Sequence, residues 1–371
     1  MGKNIVLVTW KGGGNFGTCL QSYALYQKLQ YLGYSVSFLT RRPKEYILKL
    51  YVKYILICLG VKWIKNKLKK DTRSLQEKKR EKFQNDIFQN LQLYTRHQEE
   101  RLVENTDCFV TGSDQIWNTY YNFNPFFFLD FAGDKKRVAY ASSIGTDSVN
   151  EEYKDAVRSL LMKFSHIGVR ECEAVKVLSE LTGRKDIIQV LDPTFLLTPV
   201  DWQEMSKQAV FEIEIPKKYI LCYLIGQNDW YKEQLLDVRS RLGIEDVVII
   251  PAVENPEFAI SDSIVYKDAS PVEFVWLIQH ATHVCTDSFH ASALSINHSV
   301  PFVEFMRFKD TDKKSQNSRI YDLLDRYGLM NCIYQQESSA WLEPVNYLQV
   351  QDILAQDRKN SLDYLVNAIE N

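Results

Sequence analysis

Short apolar, β-branched runs alternate along this chain with longer stretches in which apolar residues return every three or four positions. That alternation predicts strand and helix in turn. "NIVLVTW" (4–10) reads as a buried strand. In "TCLQSYALYQKLQYLG" (18–33), Leu20, Ala24, Leu25, Leu29 and Leu32 fall at helical spacing and Gly33 is a stop signal. "YSVSFL" (34–39) alternates as a second strand. Further strands are predicted within 106–118, 136–145, 167–170 and at the start of 186–197, with helices over 151–166 and 171–183. After a linker and short helix (198–209), the pattern restarts. Strands are predicted at 218–226, 246–253, 282–287 and 300–305, and helices at 229–243, 270–281, 288–299, 317–329 and 361–371. The reading is α/β, with two domains of mainly parallel sheet, 1–205 and 206–371, and the last helix packing back on the first domain. In such sheets ligands bind beyond the carboxyl ends of the strands, so the chemistry is expected in the loops that follow them.

The first of those loops is rich in glycine. Gly12, Gly14 and Gly17 in "WKGGGNFG" fit the spacing G-x-G-x-x-G. A dinucleotide site also wants an acidic residue after the second strand, but Thr40, Arg41 and Arg42 stand there. An arginine still suits a 2′-phosphate, so an NADP reading, an anion loop and a glycine turn needed only for close packing all fit the motif.

Composition narrows the class. The chain has 371 residues, 45% apolar and 25% charged, as in ordinary globular proteins with room for substantial cores. Seven scattered cysteines, with no C-x-x-C, argue against a disulfide framework or zinc ribbon and for a reducing compartment. No secretory signal is read at the start, so the expected location is cytoplasmic. The net charge of −2 conceals an asymmetry: residues 41–82 carry 15 Lys/Arg against 4 Asp/Glu, and the remainder 30 against 43. Within the basic stretch, "YILKLYVKYILICLGVKWIKNKLKK" (46–70) is too often broken by lysine to span a bilayer. It reads as part of a basic amphipathic helical insertion over about 43–100, either packed on its own domain or lying peripherally on the inner membrane face. Its aromatic residues share the apolar side, which does not make a base-stacking platform, so no nucleic-acid partner is expected.

Two patterns imitate metal or nucleotide chemistry. His280, His283, Cys285, Asp287 and His290 cluster in sequence, but they divide between a helix end, a strand and the next helix, so no metal is expected. "DTD" (310–312) sits in the charged run "KDTDKKSQ" and reads as a solvated loop.

Taken together, "GNFGTCLQSYAL", "GSDQIWN", "VREC…A", "LDPTFLL" and "TDSFHASALSINHSVPFVEF" occur in an order that resembles the polysaccharide pyruvyl transferase family, from residue 4 to about residue 330. The resemblance implies two Rossmann-like domains in a glycosyltransferase-B-like arrangement. It also implies transfer of a pyruvyl group from phosphoenolpyruvate to a sugar of a surface-polysaccharide (exopolysaccharide) precursor, with a ketal formed and phosphate released. Phosphoenolpyruvate is then a co-substrate, and no cofactor is expected. Such chemistry needs cations or backbone N–H groups for the donor's phosphate and carboxylate, and a general acid for its methylene carbon.

Carried over residue by residue, the resemblance makes His290, in the first turn after a strand, the acid or phosphate ligand. Arg170, at the end of "IGVR", becomes a donor-binding arginine, with Ser288 beside the donor. Arg307, Lys309 and Arg319 follow the strand "VPFVEF"; Arg307 is taken as a donor contact, although the residues themselves do not say which of the three reaches phosphate. Asn15, Phe16 and Gly17 become an acceptor or anion loop. In the second loop, Ser113 accompanies Asp114 as base or hydroxyl partner, Gln115 and Asn118 as acceptor contacts, and Trp117 as a platform for a sugar face. A turn tied by Asx-type bonds over a buried tryptophan fits that loop equally well. Asp192, before Pro193, reads as fixing its loop rather than reacting. The glycan acceptor is expected to be lipid-linked if 46–70 touches membrane. A nucleotide-sugar-dependent glycosyltransferase and a non-catalytic glycan-binding protein fit the same scaffold.

Overall fold

The computed structural model describes residues 2–12, 14–41, 73–87, 91–94, 96–121, 123–254, 256–312 and 315–371. The basic stretch 46–70 and Arg42 lie outside them.

The first sheet has seven strands: β1 (Asn4–Val8), β2 (Ser35–Arg41), β3 (Leu91–Tyr94), β4 (Cys108–Thr111), β5 (Lys136–Ser142), β6 (His166–Val169) and β7 (Ile187–Gln189). Their spatial order is β3-β2-β1-β4-β5-β6-β7, and every pairing is parallel. The second sheet contains β8 (Ile220–Tyr223), β9 (Val247–Ile249), β10 (Ile264–Val265), β11 (His283–Thr286) and β12 (Phe302–Glu304), in the order β10-β9-β8-β11-β12, again parallel. β1 and β4 are central and almost wholly apolar because helices cover both faces of such a sheet.

The helices that matter for the site start at strand ends. Helix α1 (Phe16–Tyr31) begins two residues before the sequence pattern suggests, because Asn15 caps it: Oδ1 accepts the Thr18 N–H at 3.3 Å. Helix α2 (Leu75–Ile87) and α3 (Arg96–Glu104) flank β3. Of the helical insertion expected over about 43–100, only 91–94 are corrected here, since they pair with β2 as an edge strand. Helix α4 (Lys154–Leu161) leads to β6, α5 (Cys172–Thr182) follows it, and α6 (Pro199–Ser206) leads toward the second sheet. There α7 (Tyr231–Leu242), α8 (Pro271–His280), α9 (Phe289–His298) and α10 (Ser318–Arg326) follow in order.

The last helix, α11 (Tyr347–Glu370), is longer than the 361–371 expected. Its start is tied to the second sheet's side by Tyr347 Oη donating to Val300 O at 2.7 Å and Gln351 Nε2 to Ile296 O at 2.8 Å. Its end is tied to the first sheet: Tyr364 Oη donates to Ala139 O at 2.9 Å and Lys3 Nζ to Ile369 O at 2.8 Å.

The two sheets share an apolar core. Phe16 at the start of α1 stacks on Phe274 of α8, with ring centroids 4.7 Å apart, and meets Tyr223 of β8 edge-on. The cluster continues from Leu20 and Ala24 to Ala291 and Leu294 of α9. This contact brings the strand ends of one half against those of the other.

Candidate functional site

Helix α9 opens after β11 with Ser288 at its N-cap, in extended conformation and without a side-chain cap bond. The Ser288 N–H donates to Thr286 Oγ1 at 3.1 Å. His290, in the first turn, is 8% exposed. Its ring lies against the first turn of α1: a Cβ added to Gly17 would stand 2.1 Å from His290 Nδ1. Only glycine lets the two helices meet in this way. The third glycine of the G-x-G-x-x-G spacing is therefore explained by a histidine from the other half, and not by a dinucleotide.

Arg170 follows β6 with its side chain only 2% exposed. Nε donates to Glu171 Oε1 at 2.8 Å, Nη1 to Asp192 Oδ2 at 3.1 Å, and the guanidinium lies 4.3 Å from the ring centroid of Phe289. Burial would lower its pKa, but Glu171 and Asp192 outweigh that and raise it. Asp192 is where the site converges. Besides Arg170, its Oδ2 accepts Ser113 Oγ at 3.0 Å and stands 3.6 Å from His290 Nε2, within ion-pair range but beyond a hydrogen bond. Its Oδ1 accepts Thr194 N at 3.0 Å and Thr194 Oγ1 at 2.8 Å. Burial opposes its charge, yet His290, Arg170 and the Thr194 N–H together hold the carboxyl well below the usual range. Asp192 does fix its loop, as expected, and it also joins Arg170 to His290, which the sequence reading left out. Its partners are distant along the chain, so no local pattern marks this role.

Among the described residues, three buried atoms of the cluster have no hydrogen-bond partner: Arg170 Nη2, His290 Nε2 and Glu171 Oε2. Buried polar groups are nearly always satisfied, so such a concentration marks a place prepared for something else.

Arg319, on α10, adds a third cation. It is buried, and its bonds go to neutral groups: Nη2 to Gln316 Oε1 at 2.7 Å and Nε to Gln316 O at 3.4 Å. Among the described residues no carboxylate lies within ion-pair distance of it. Burial, with the like charge of Arg170 second, pushes its pKa down to about 10. Arg307 is different, since Nε meets Asp287 Oδ2 at 3.0 Å and Nη2 donates to Asp287 O at 2.7 Å. Lys309 is exposed. Of the three cations that sequence could not separate, Arg319 is, among the described residues, the buried one without a counter-ion, while Arg307 is held by Asp287.

The second loop divides. Asp114 sits at φ +71° and 7% exposure, with Oδ2 accepting Thr18 Oγ1 at 2.7 Å and Oδ1 accepting Gln115 N at 2.9 Å. Gln115 Nε2 donates to Gln316 Oε1 at 2.9 Å and thereby links the two halves. Asn118 is tied inward to Gln115 Oε1 at 3.0 Å. Trp117 is 2% exposed, stacks on Phe128 at 5.1 Å and donates Nε1 to Phe127 O at 3.0 Å, so protein covers the ring expected to face a sugar. Phe16 is likewise packed into the shared core, while Asn15 serves as the α1 cap.

His280 stacks on Trp276 and bonds its carbonyl at 2.8 Å. Among the described residues no three His, Cys, Asp or Glu side chains form a metal site, and no helix is long and apolar enough to cross a membrane. One residue unremarked in the sequence is Glu304, at the end of β12. It is 1% exposed, accepts Ser292 Oγ on Oε2, leaves Oε1 unpartnered, and is pushed up by burial to about 8.

A family model described as polysaccharide pyruvyl transferase matches residues 15–306. Among solved structures, the fold is similar to a UDP-GlcNAc 2-epimerase from Neisseria meningitidis bound to UDP-GlcNAc, with TM-score 0.52 and 11% identity over 98% of this chain and 100% of that one. A UDP-GlcNAc 2-epimerase from Methanocaldococcus jannaschii matches with TM-score 0.45 and 11% identity, covering 96% of this chain and 100% of that one. A comparison with curated proteins found no match. The arrangement of the two sheets is glycosyltransferase-B-like.

Proposed function

Because the chain belongs to the polysaccharide pyruvyl transferase family, we propose that it transfers the pyruvyl group of phosphoenolpyruvate to two hydroxyls of a sugar in a surface-polysaccharide precursor. The observation that carries this reading is the convergence of Arg170 and His290, each with a buried nitrogen free of hydrogen bonds among the described residues, beside a second guanidinium, that of Arg319, without a counter-ion there. A small polyanion answers all three. Its phosphate and carboxylate take Arg170 Nη2, Arg319 and the start of α9, where Ser288 makes no side-chain cap bond and only its own N–H is held, by Thr286.

In this reading His290 Nε2 delivers a proton to the methylene carbon, which becomes a methyl group. One sugar hydroxyl oxygen bonds to the central carbon and the phosphate oxygen leaves. A second hydroxyl then closes the ketal. Of the two hydroxyl protons, one replaces that given by His290 and the other departs with phosphate. Asp192, held ionised beside the ring, stabilises the cationic form of the imidazole. Asp114 stands near enough to Arg170 and Arg319 to contribute to both their electrostatic balances, and it serves as a hydroxyl partner.

The test is inorganic phosphate release from phosphoenolpyruvate with a panel of sugar acceptors, alongside calorimetric titration with phosphoenolpyruvate and with nucleotide-sugars. Binding of a nucleotide-sugar without phosphoenolpyruvate would replace this reading by glycosyl transfer. Donor binding without phosphate release across the panel would make the chain a binder. A lipid-linked acceptor belongs to the same proposal on the strength of the sequence 46–70. Vesicle co-sedimentation that is unchanged when Lys62, Lys65, Lys67, Lys69 and Lys70 become Gln would remove it.

A further inference from the structure

A cavity of about 320 Å³ lies at the amino ends of β8, β11 and β12. This is the end of the second sheet opposite to the one where Ser288 and His290 follow β11. Leu242 and Ile244 around the end of α7, Phe302 of β12 and Leu342 give it an apolar wall. Two further lining residues carry a buried ring nitrogen with no hydrogen-bond partner among the described residues: His283 Nε2, at the start of β11, and Trp341 Nε1. The residues are 6% and 3% exposed, and neither belongs to the donor cluster. Trp341 is not free to turn toward a partner. Arg241 lies 4.8 Å from its ring centroid and Tyr334 packs at 5.8 Å, while Arg241 is itself held by Ser339 Oγ at 2.8 Å. His283 is kept neutral by burial, which lowers its pKa to about 4. Thr282 Oγ1, also on the lining, accepts the Tyr219 N–H at 3.2 Å and keeps its own hydrogen to donate. Lys218 and Glu343 complete the lining as exposed, opposite charges.

We propose that this cavity is a second binding site, separate from the donor cluster, and that it takes a small carboxylate with an apolar body. An indole N–H can only donate, so whatever completes Trp341 must bring an acceptor. His283 makes the same demand in the tautomer that carries its hydrogen on Nε2. With Thr282 and Lys218, the lining offers four donors against one carboxylate, that of Glu343. A carboxylate accepts only, and its two oxygens take several donors at once. The apolar wall suits an aromatic or branched acyl body, whose removal from water supplies the rest of the affinity. The volume is within the range of small-molecule sites. Leaving both nitrogens unpaired costs the folded state, and occupancy restores what is lost. The inference does not depend on the donor reading.

The experiment uses the full chain with its seven tryptophans labelled with nitrogen-15, benzoate as the probe and benzamide as its uncharged counterpart. Trp341→Phe identifies the Trp341 indole signal. In a millimolar titration, benzoate is expected to move that signal downfield to saturation as Nε1–H gains an acceptor, with benzamide about fivefold weaker. Lys218→Gln and Glu343→Gln alter exposed side chains only, so the fold should persist in both. The first should weaken benzoate about threefold and the second strengthen it by a similar factor. His290→Ala separates the cavity from the donor cluster, whose cations also attract carboxylates: the affinity read at Trp341 should not change. A Trp341 signal unmoved by benzoate, equal binding of benzamide, indifference to both rim substitutions, or loss of the shift in His290→Ala would overturn the proposal.

Discussion

Two arginine–carboxylate pairs stand at strand ends in this molecule, and they are built to opposite specifications. Asp287, after β11, is saturated: it accepts Ile225 N at 2.7 Å, Gly226 N at 2.8 Å and Tyr231 Oη at 2.8 Å, as well as Arg307. Asp192 and Arg170, at the ends of neighbouring strands in the first sheet, form the more deeply buried pair, the Arg170 side chain being 2% exposed against 21% for Arg307, and leave Arg170 Nη2, Glu171 Oε2 and the nearby His290 Nε2 without hydrogen-bond partners among the described residues. Removing either guanidinium strands a buried charge, so both should cost stability. Among the described residues only the Arg170 pair leaves fully buried bonding capacity unused, and that one should govern chemistry. An arginine at a strand end says little by itself; what distinguishes it is whether its donors are already spent.

The sharpest way to break this contrast is at the meeting of α1 and α9. His290→Ala should lower phosphate release by about 10³-fold with little change in thermal unfolding. Gly17→Ala should do nearly as much, since its methyl would occupy the place of His290 Nδ1, although alanine favours the helix. Activity that survives Gly17→Ala would mean that the position of the imidazole is immaterial.

Next come the two arginines. Arg307→Gln should destabilise by about 3–5 kcal/mol in denaturant melts, by isolating Asp287, while folded protein keeps its affinity for phosphoenolpyruvate. Arg170→Gln should cost similar stability and also abolish donor binding. Arg319→Gln is the third case: with no counter-ion to isolate, it should leave stability unchanged or raised, yet increase the KM for phosphoenolpyruvate about tenfold. Equal behaviour of all three would erase the distinction.

The smallest effect is in pH. Stability from Asp192, whose folded pKa is depressed, is complete above about pH 4 and is lost as the pH falls through its folded value. Glu304 has the reverse sign. Its folded pKa is raised from 4.5 to about 8, so its contribution is complete below 4.5 and declines as the pH rises to 8. Glu304→Gln should remove a slope of up to about 1.4 kcal/mol per pH unit in that window. Urea midpoints measured from pH 4.5 to 8 check this, and an unchanged slope would mean that Glu304 is ionised in the fold.

The alternation of strand and helix was readable because each element buries its own apolar face, a local property of spacing. β10, only two residues long, and β3, inside a charged stretch, gave no such signal and depend on pairing with neighbours. The candidate site was legible where a residue type follows closely on a strand, as with Arg170 after β6 and His290 in the first helical turn after β11. It was not legible for Asp192, whose significance comes from groups brought to it by folding, or for Arg319, which differs from Arg307 only in the carboxylate it lacks. Trp117 misled because an aromatic residue in a loop looks the same in sequence whether its faces are open or stacked on Phe128.

Helix α11 has a mechanical consequence. Twenty-four residues of helix make a rod about 36 Å long, fastened near one end to the second sheet's side and near the other to the first. Any swing of one half against the other must bend that rod or tear away one of its fastenings. The splint therefore favours small adjustments at the cleft over wide gaping, and a substrate has to enter between halves already held at working distance.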